Sequence, residues 1–122
     1  MSVRDVPVGR SVFAAAMSED HLLSNVVDLA RLQGWLIHHC RPAHTAKGWR
    51  TPITGTPGFP DLVLARPPRL ILAELKSMSG GVHRLQRVWL VALRGIPGVE
   101  VRVWRPKDWL DGTITETLGR PA

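Results

Sequence analysis

The chain has one cysteine, no tyrosine and only two phenylalanines, and it is short of acids. The lone thiol, Cys40, has no partner for an internal disulfide, so nothing here calls for an oxidising compartment. The N-terminus lacks the charged, apolar and small-residue order of a secretory signal, and a reducing, cytoplasmic setting is the expectation. A membrane-crossing helix needs about 20 consecutive apolar residues, and no run in the sequence approaches that length. Internal repeats and low-complexity segments are missing too. Ten Asp and Glu against sixteen Lys and Arg leave a formal charge of +6. Such an excess suits a polyanion, nucleic acid first among them. It also fits an ordinary basic surface, so composition alone does not decide.

At 122 residues, 44% of them apolar, the chain can build one compact core but not two comfortable domains. Residues 1–17 show no sustained periodicity and are set aside as an appendage. From Ser18 an amphipathic helix is expected over 18–33, with Ser18 as cap, Glu19 and Asp20 at its positive end, and apolar positions at Leu22, Leu23, Val26, Val27 and Ala30. Gly34 stops it, and "WLIHH" (35–39) is a short strand. Residues 41–58 form a long basic loop carrying Arg41, His44, Lys47, Trp49 and Arg50, a length more often functional than idle. Two apolar runs, 61–65 and 70–76, flank "RPPR" as a hairpin. A second helix is expected over 82–94, with Leu85, Val88, Trp89, Ala92 and Leu93 on its apolar side. "VEVRVW" (99–104) alternates as a last strand, Pro106–Leu110 forms a short turn or helix, and 111–122 is left as a tail.

The hairpin carries the chemistry. Glu74 and Lys76, two residues apart on a strand, share a face. If Arg66–Arg69 make the turn, Ala65 lies opposite Leu70 and Asp61 falls opposite Glu74. Two prolines alone cannot supply the positive φ that two-residue hairpin turns prefer, so the four-residue loop is the expectation. Cross-strand carboxylates roughly 5 Å apart repel by about 3 kcal/mol at an effective dielectric near 20. Lys76 offsets part of that. A strand-end salt bridge is the plain reading; the alternative is a divalent cation between the acids, since hard oxygen ligands suit Mg²⁺ or Mn²⁺.

Pro60-Asp61 followed by Glu74-Leu75-Lys76 resembles the motif of the PD-(D/E)xK nucleases. The fragments "GFPDL" and "AELKS", and the helix carrying Gln86 and Trp89, look like the VRR-NUC (virus-type replication-repair nuclease) branch, over roughly residues 18–110. The resemblance implies an α/β fold with a restriction-endonuclease-like αβββαβ core, a mixed central sheet flanked by helices. It implies a Mg²⁺- or Mn²⁺-dependent DNA endonuclease in a bacterial or phage-infected host cytoplasm. Asp61, Glu74, the Leu75 carbonyl and Glu19 would hold the metal, with Lys76 as the catalytic lysine and Gln86 facing the site. Glu19, at the head of the helix's apolar stripe, is expected to point inward. Arg41, Lys47, Trp49, Arg50, Arg84 and Arg87 would bind nucleic acid. Branched DNA such as four-way junctions is the implied substrate, and a homodimer the implied assembly because resolution needs two cuts; Trp104, Trp109 and Leu110 are candidate interface residues. The segment "SMSGGVHRLQ" departs from the pattern in being short and glycine-rich, which leaves less chain to reach along a duplex.

Two other readings compete. A non-catalytic nucleic-acid-binding module could keep the same fold. A zinc site could use His38, His39, Cys40 and His44, but adjacent strand residues face opposite sides, and no second ligand pair follows.

Overall fold

The computed structural model describes residues 8–39, 43–45, 48–50 and 54–121. A helix absent from the sequence reading comes first: α1 (Val8–Ala16) buries Ala14. Helix α2 (Glu19–Leu32) starts where its cap predicts, the Ser18 hydroxyl accepting from the His21 N–H at 3.0 Å. Leu22, Val26 and Ala30 are fully buried, a leucine of this kind contributing about 1.5–3 kcal/mol. Gly34, at φ 85°, turns the chain out of the helix in a region that side chains avoid.

Strand β1 (Leu36–His39) is followed by a two-stranded hairpin, β2 (Ala43–Thr45) and β3 (Gly48–Arg50), inside the segment expected to be loop. Strands β4 (Leu62–Arg66) and β5 (Arg69–Leu75), helix α3 (Arg84–Arg94), strand β6 (Val99–Trp104) and the short helices α4 (Pro106–Leu110) and α5 (Thr113–Gly119) complete the order. The main sheet runs β1-β4-β5-β6, antiparallel across its first three strands, with β6 parallel to β5. This is a mixed four-stranded sheet flanked by helices. One face packs Leu62, Leu64, Ile71 and Ala73 against Leu22 and Val26 of α2 and Ile114 and Leu118 of α5. The other packs Leu72 and Val101 against Leu90 and Leu93 of α3. No helix among the described residues is long and apolar enough to cross a membrane.

Four expectations need correction. The hairpin turn is the two residues Pro67-Pro68, joined by a cis peptide bond, with Arg66 paired to Arg69. A turn around a cis proline needs no positive φ, and the register is unchanged: Ala65 faces Leu70. On α3, Leu90 is buried while Val88 and Ala92 are exposed, because the sheet meets the helix on the side of Leu90 and Leu93. The segment left as a tail carries α5, whose Ile114 and Leu118 are fully buried in the main core. Trp104 is 1% exposed and belongs to that core, which removes it as an interface residue; Trp109 and Leu110 are half-buried, Trp109 packing on the same core.

Arginines from the β4–β5 turn finish α5. Arg69 donates to the Thr117 and Arg120 carbonyls at 2.9 and 2.8 Å, and Arg66 donates to those of Gln33 and Leu118 at 2.9 and 3.0 Å and to that of Arg120. Both guanidinium groups lie over the Trp35 ring, 4.6 and 5.0 Å from its centroid. A helix end leaves its last carbonyls without intrahelical donors, and cations are favourable there. Arg69 also holds Glu100 with two hydrogen bonds of 2.8 Å, which keep the Glu100 carboxyl below its ordinary value. These cations are committed to the fold.

Candidate active site

Strand alternation sends Leu62, Leu64, Ile71, Ala73 and Leu75 into the core shared with α2 and α5, so Val63, Leu72 and Glu74 face α3. The ladder runs to Leu62 opposite Ala73, and one step further along the same count brings Asp61 to Glu74. The Leu75 N–H donates to Asp61 Oδ2 at 2.7 Å, which fixes the half-buried carboxylate across the open end of the hairpin. Lys76 continues β5, its N–H donating to the Trp104 carbonyl at 3.0 Å. Both Glu74 and Lys76 are buried, at 1% and 6% exposure.

Gln86 ties these groups together. Its Nε2 donates to Glu74 Oε1 at 3.0 Å, while its Oε1 accepts from Lys76 Nζ and from the His83 N–H, both at 2.9 Å. Lys76 Nζ lies 3.7 Å from Glu74 Oε1. The second Glu74 oxygen, Oε2, is buried and receives no donor from the described residues. Burial, and after it the charge of Asp61 and a hydrogen bond with Asp61, push the Glu74 carboxyl up to about 8; Lys76 opposes the rise and Glu19 adds to it. Without a metal ion the carboxyl is therefore mostly protonated at neutral pH, Lys76 notwithstanding.

The segment leading into Asp61 is held against α3. Gly58 has φ 100°, and a Cβ there would come within 2.6 Å of the Leu85 carbonyl carbon and 2.8 Å of the Gln86 nitrogen. Only glycine fits. The Trp89 indole N–H donates to the Thr56 carbonyl at 3.1 Å, and the Phe59 ring meets Trp89 edge-on with centroids 5.0 Å apart. On the far side of Lys76, Arg105 Nη1 donates to the Ser77 and Gly80 carbonyls, both at 2.6 Å, pinning the turn after the strand. Sequence reasoning missed Arg105, which no spacing rule links to residues 77–80. The glycine before Phe59-Pro60 was a usable signal for Gly58.

Asp61, Glu74, Leu75, Lys76 and Gln86 thus converge. Glu19 does not point inward: it is exposed at the start of α2, although its charge reaches Glu74. Residue 19 heads the helix before the first buried turn at Leu22, so solvent solvates it. Among the described residues no three His, Cys, Asp or Glu side chains group as a metal site, so Asp61 and Glu74 stand as a pair of carboxylates. Arg84 and Arg87 are exposed on the first turns of α3 and form no salt bridge with the described residues. Arg41 and Lys47 lie outside the described residues; Trp49 and Arg50 fall on β3, their side chains also outside them. His38 is exposed and His39 half-buried on alternate sides of β1, while Cys40 is outside the described residues.

No family model and no curated protein matches the chain. The chemistry has to come from the site itself. It holds two acids, one buried with an oxygen that lacks a donor, and a lysine positioned by a glutamine. A protonated Glu74 can donate a proton near neutrality, and an ionised one can accept a proton or offer oxygens to a cation.

Proposed function

We propose that this protein is a metal-dependent DNA endonuclease of the PD-(D/E)xK type, acting on branched DNA. The run α2, β1, β4, β5, α3, β6 follows the αβββαβ order expected of such a core, with a mixed sheet and the motif residues at one end of it. The observation that carries the reading is Glu74: a buried carboxyl, one oxygen of which receives no donor, paired with Asp61 and raised to about 8. A structural acid in that place would be expected to find its donors. A cation-binding one keeps an oxygen in reserve.

The donor set suits a hard divalent cation such as Mg²⁺ or Mn²⁺, held by Asp61, Glu74 and the Leu75 carbonyl, with Glu19 near enough to add charge but not as a converging ligand. Such an ion would supply a more acidic bound water and charge neutralisation at the phosphodiester. The residues do the rest. Gln86 holds Lys76 Nζ and Glu74 Oε1 in one arrangement, so the lysine is fixed before substrate arrives. Lys76 then orients the attacking water or stabilises charge developing on the phosphoryl oxygens. Arg84 and Arg87 add phosphate contacts, which set affinity and salt dependence and not base choice. With a single such site among the described residues, resolving a four-way junction calls for a homodimer, C₂ symmetry being the commonest arrangement.

The test is to incubate the full chain with linear duplex and four-way-junction DNA, in Mn²⁺ and in EDTA. Cleavage that needs Mn²⁺ and favours the junction is expected. Binding without cleavage of any substrate would place the protein among non-catalytic nucleic-acid-binding modules, and the proposal would fall.

A further inference from the structure

Phe59 is 44% exposed, two residues before Asp61 and next to the buried Pro60. An exposed aromatic is ordinary when it stands alone, but this one is braced. Its ring lies at 83° to that of Trp89, edge to face, and Trp89 is itself anchored by its bond to the Thr56 carbonyl. The preceding Gly58 is pressed onto the α3 backbone with no room for a side chain. The ring is therefore fixed on both its covalent and its packed side while much of its surface stays open to solvent. A rigid aromatic loses little conformational freedom when something covers it.

Its surroundings say what could do so. Asp61, to which it leads, is half of the acid pair assigned to phosphodiester cleavage. Arg84 and Arg87 are exposed on the same helix as Trp89 and pair with no carboxylate of the described residues. A part-exposed aromatic ring packed against the helix that carries two exposed arginines suits a nucleotide, with base on ring and phosphate on guanidinium. Bases inside a continuous duplex are stacked on one another and present no free face, whereas an unpaired base at a fork or junction does.

We infer that Phe59 is a stacking platform for an unpaired base of the DNA strand engaged at the Asp61–Glu74 site. It is a specificity-determining residue that favours branched or frayed DNA over continuous duplex. The inference rests on the nuclease reading and goes beyond it by naming what selects the substrate.

The test measures binding of the full chain in EDTA to a forked DNA carrying 2-aminopurine at the unpaired position and to the matching duplex. Wild type is compared with Phe59→Leu, Phe59→Ala and Phe59→Trp, all first checked by thermal melting. Leucine keeps apolar volume against Trp89 and removes the π-face, so it separates stacking from packing. Phe59→Leu and Phe59→Ala are expected to bind the fork about 5- to 150-fold more weakly, the range that removal of one base–aromatic stack produces. Duplex affinity should stay unchanged, the 2-aminopurine quenching should disappear, and Phe59→Trp should restore both affinity and quenching. Fork preference and quenching that survive in a folded Phe59→Leu would overturn the inference. If wild type still cleaves DNA in Mn²⁺, that result leaves the nuclease reading standing; a wild type that neither binds nor cleaves any DNA takes both down.

Discussion

Replacing Glu74 by Gln removes a carboxylate that the metal-free fold holds ionised only at a cost. The variant keeps an oxygen to accept the 3.0 Å bond from Gln86 Nε2, so the packing and most of the hydrogen bonding survive. Between its ordinary value of 4.5 and its folded value of about 8, Glu74 binds a proton in the folded state that the unfolded chain has released. Stability must then fall as pH rises, by about 1.4 kcal/mol per pH unit in that window. The contribution is fully present below pH 4.5 and lost once pH passes about 8, with a ceiling near 5 kcal/mol. For a domain stable by about 5–15 kcal/mol that is a large share. Urea unfolding of wild type and Glu74→Gln in EDTA, from pH 5 to pH 9, isolates it, because every other titrating group is common to both chains. The variant's stability relative to wild type should climb steadily with pH. A gap that changes by less than about 1 kcal/mol, near the scatter of such extrapolations, would mean that Glu74 ionises freely in the fold, and the cation-site argument would lose its basis. Mn²⁺ should reverse the order at pH 8, stabilising wild type by mass action and leaving Glu74→Gln unmoved.

Lys76→Met should abolish cleavage while leaving DNA affinity nearly intact, as a filter-binding assay beside a cleavage assay would show, since one lysine among sixteen basic residues adds little to polyanion binding. Asp61→Asn retains an acceptor for the Leu75 N–H and removes a neighbouring charge, so it should be inactive yet melt no lower than wild type without metal and lose the Mn²⁺ response; an unchanged response would make the pair a structural one. Gly58→Ala meets backbone at 2.6 Å and a φ of 100°, and a melting experiment should show it destabilised, by about 1–3 kcal/mol; wild-type stability would mean that the 56–60 segment is not tied to α3. Light scattering at micromolar concentration should report a dimer, and a monomer that still resolves junctions would exclude a preformed pair.

The hairpin was legible because strand alternation leaves so little freedom: once 61–65 and 70–76 are strands joined at Pro67-Pro68, either turn length puts Asp61 across from Glu74. Gln86 was placed by the resemblance, and its spacing to Trp89 and Leu93 was compatible with the inward side of α3. The same helix shows where periodicity stops informing. "VWLVAL" is apolar nearly all round, so whether Val88 or Leu90 meets the sheet is decided by the sheet and not by the segment. Helix α5 was illegible for a different reason. "TITETLG" is short and rich in threonine, a marginal helix by itself. What holds it is the burial of Ile114 and Leu118 and the donors of Arg66 and Arg69, residues nearly half the chain away. Glu19 was misplaced because a helix position next to a buried stripe says little about the first turn, where the chain has only just entered the helix.

The clasp between the β4–β5 turn and α5 has a bearing on when the hairpin is seated during the chain's synthesis. The hairpin that presents Asp61 and Glu74 is held at its turn by the carbonyls of Thr117, Leu118 and Arg120, and at its open end by Gln86. A chain still on the ribosome, with residues 117–120 inside the exit tunnel, has the acids and the lysine already made but not the carbonyls that seat their scaffold. Until the last of those residues emerges, the turn of the hairpin lacks the acceptors that the end of α5 supplies.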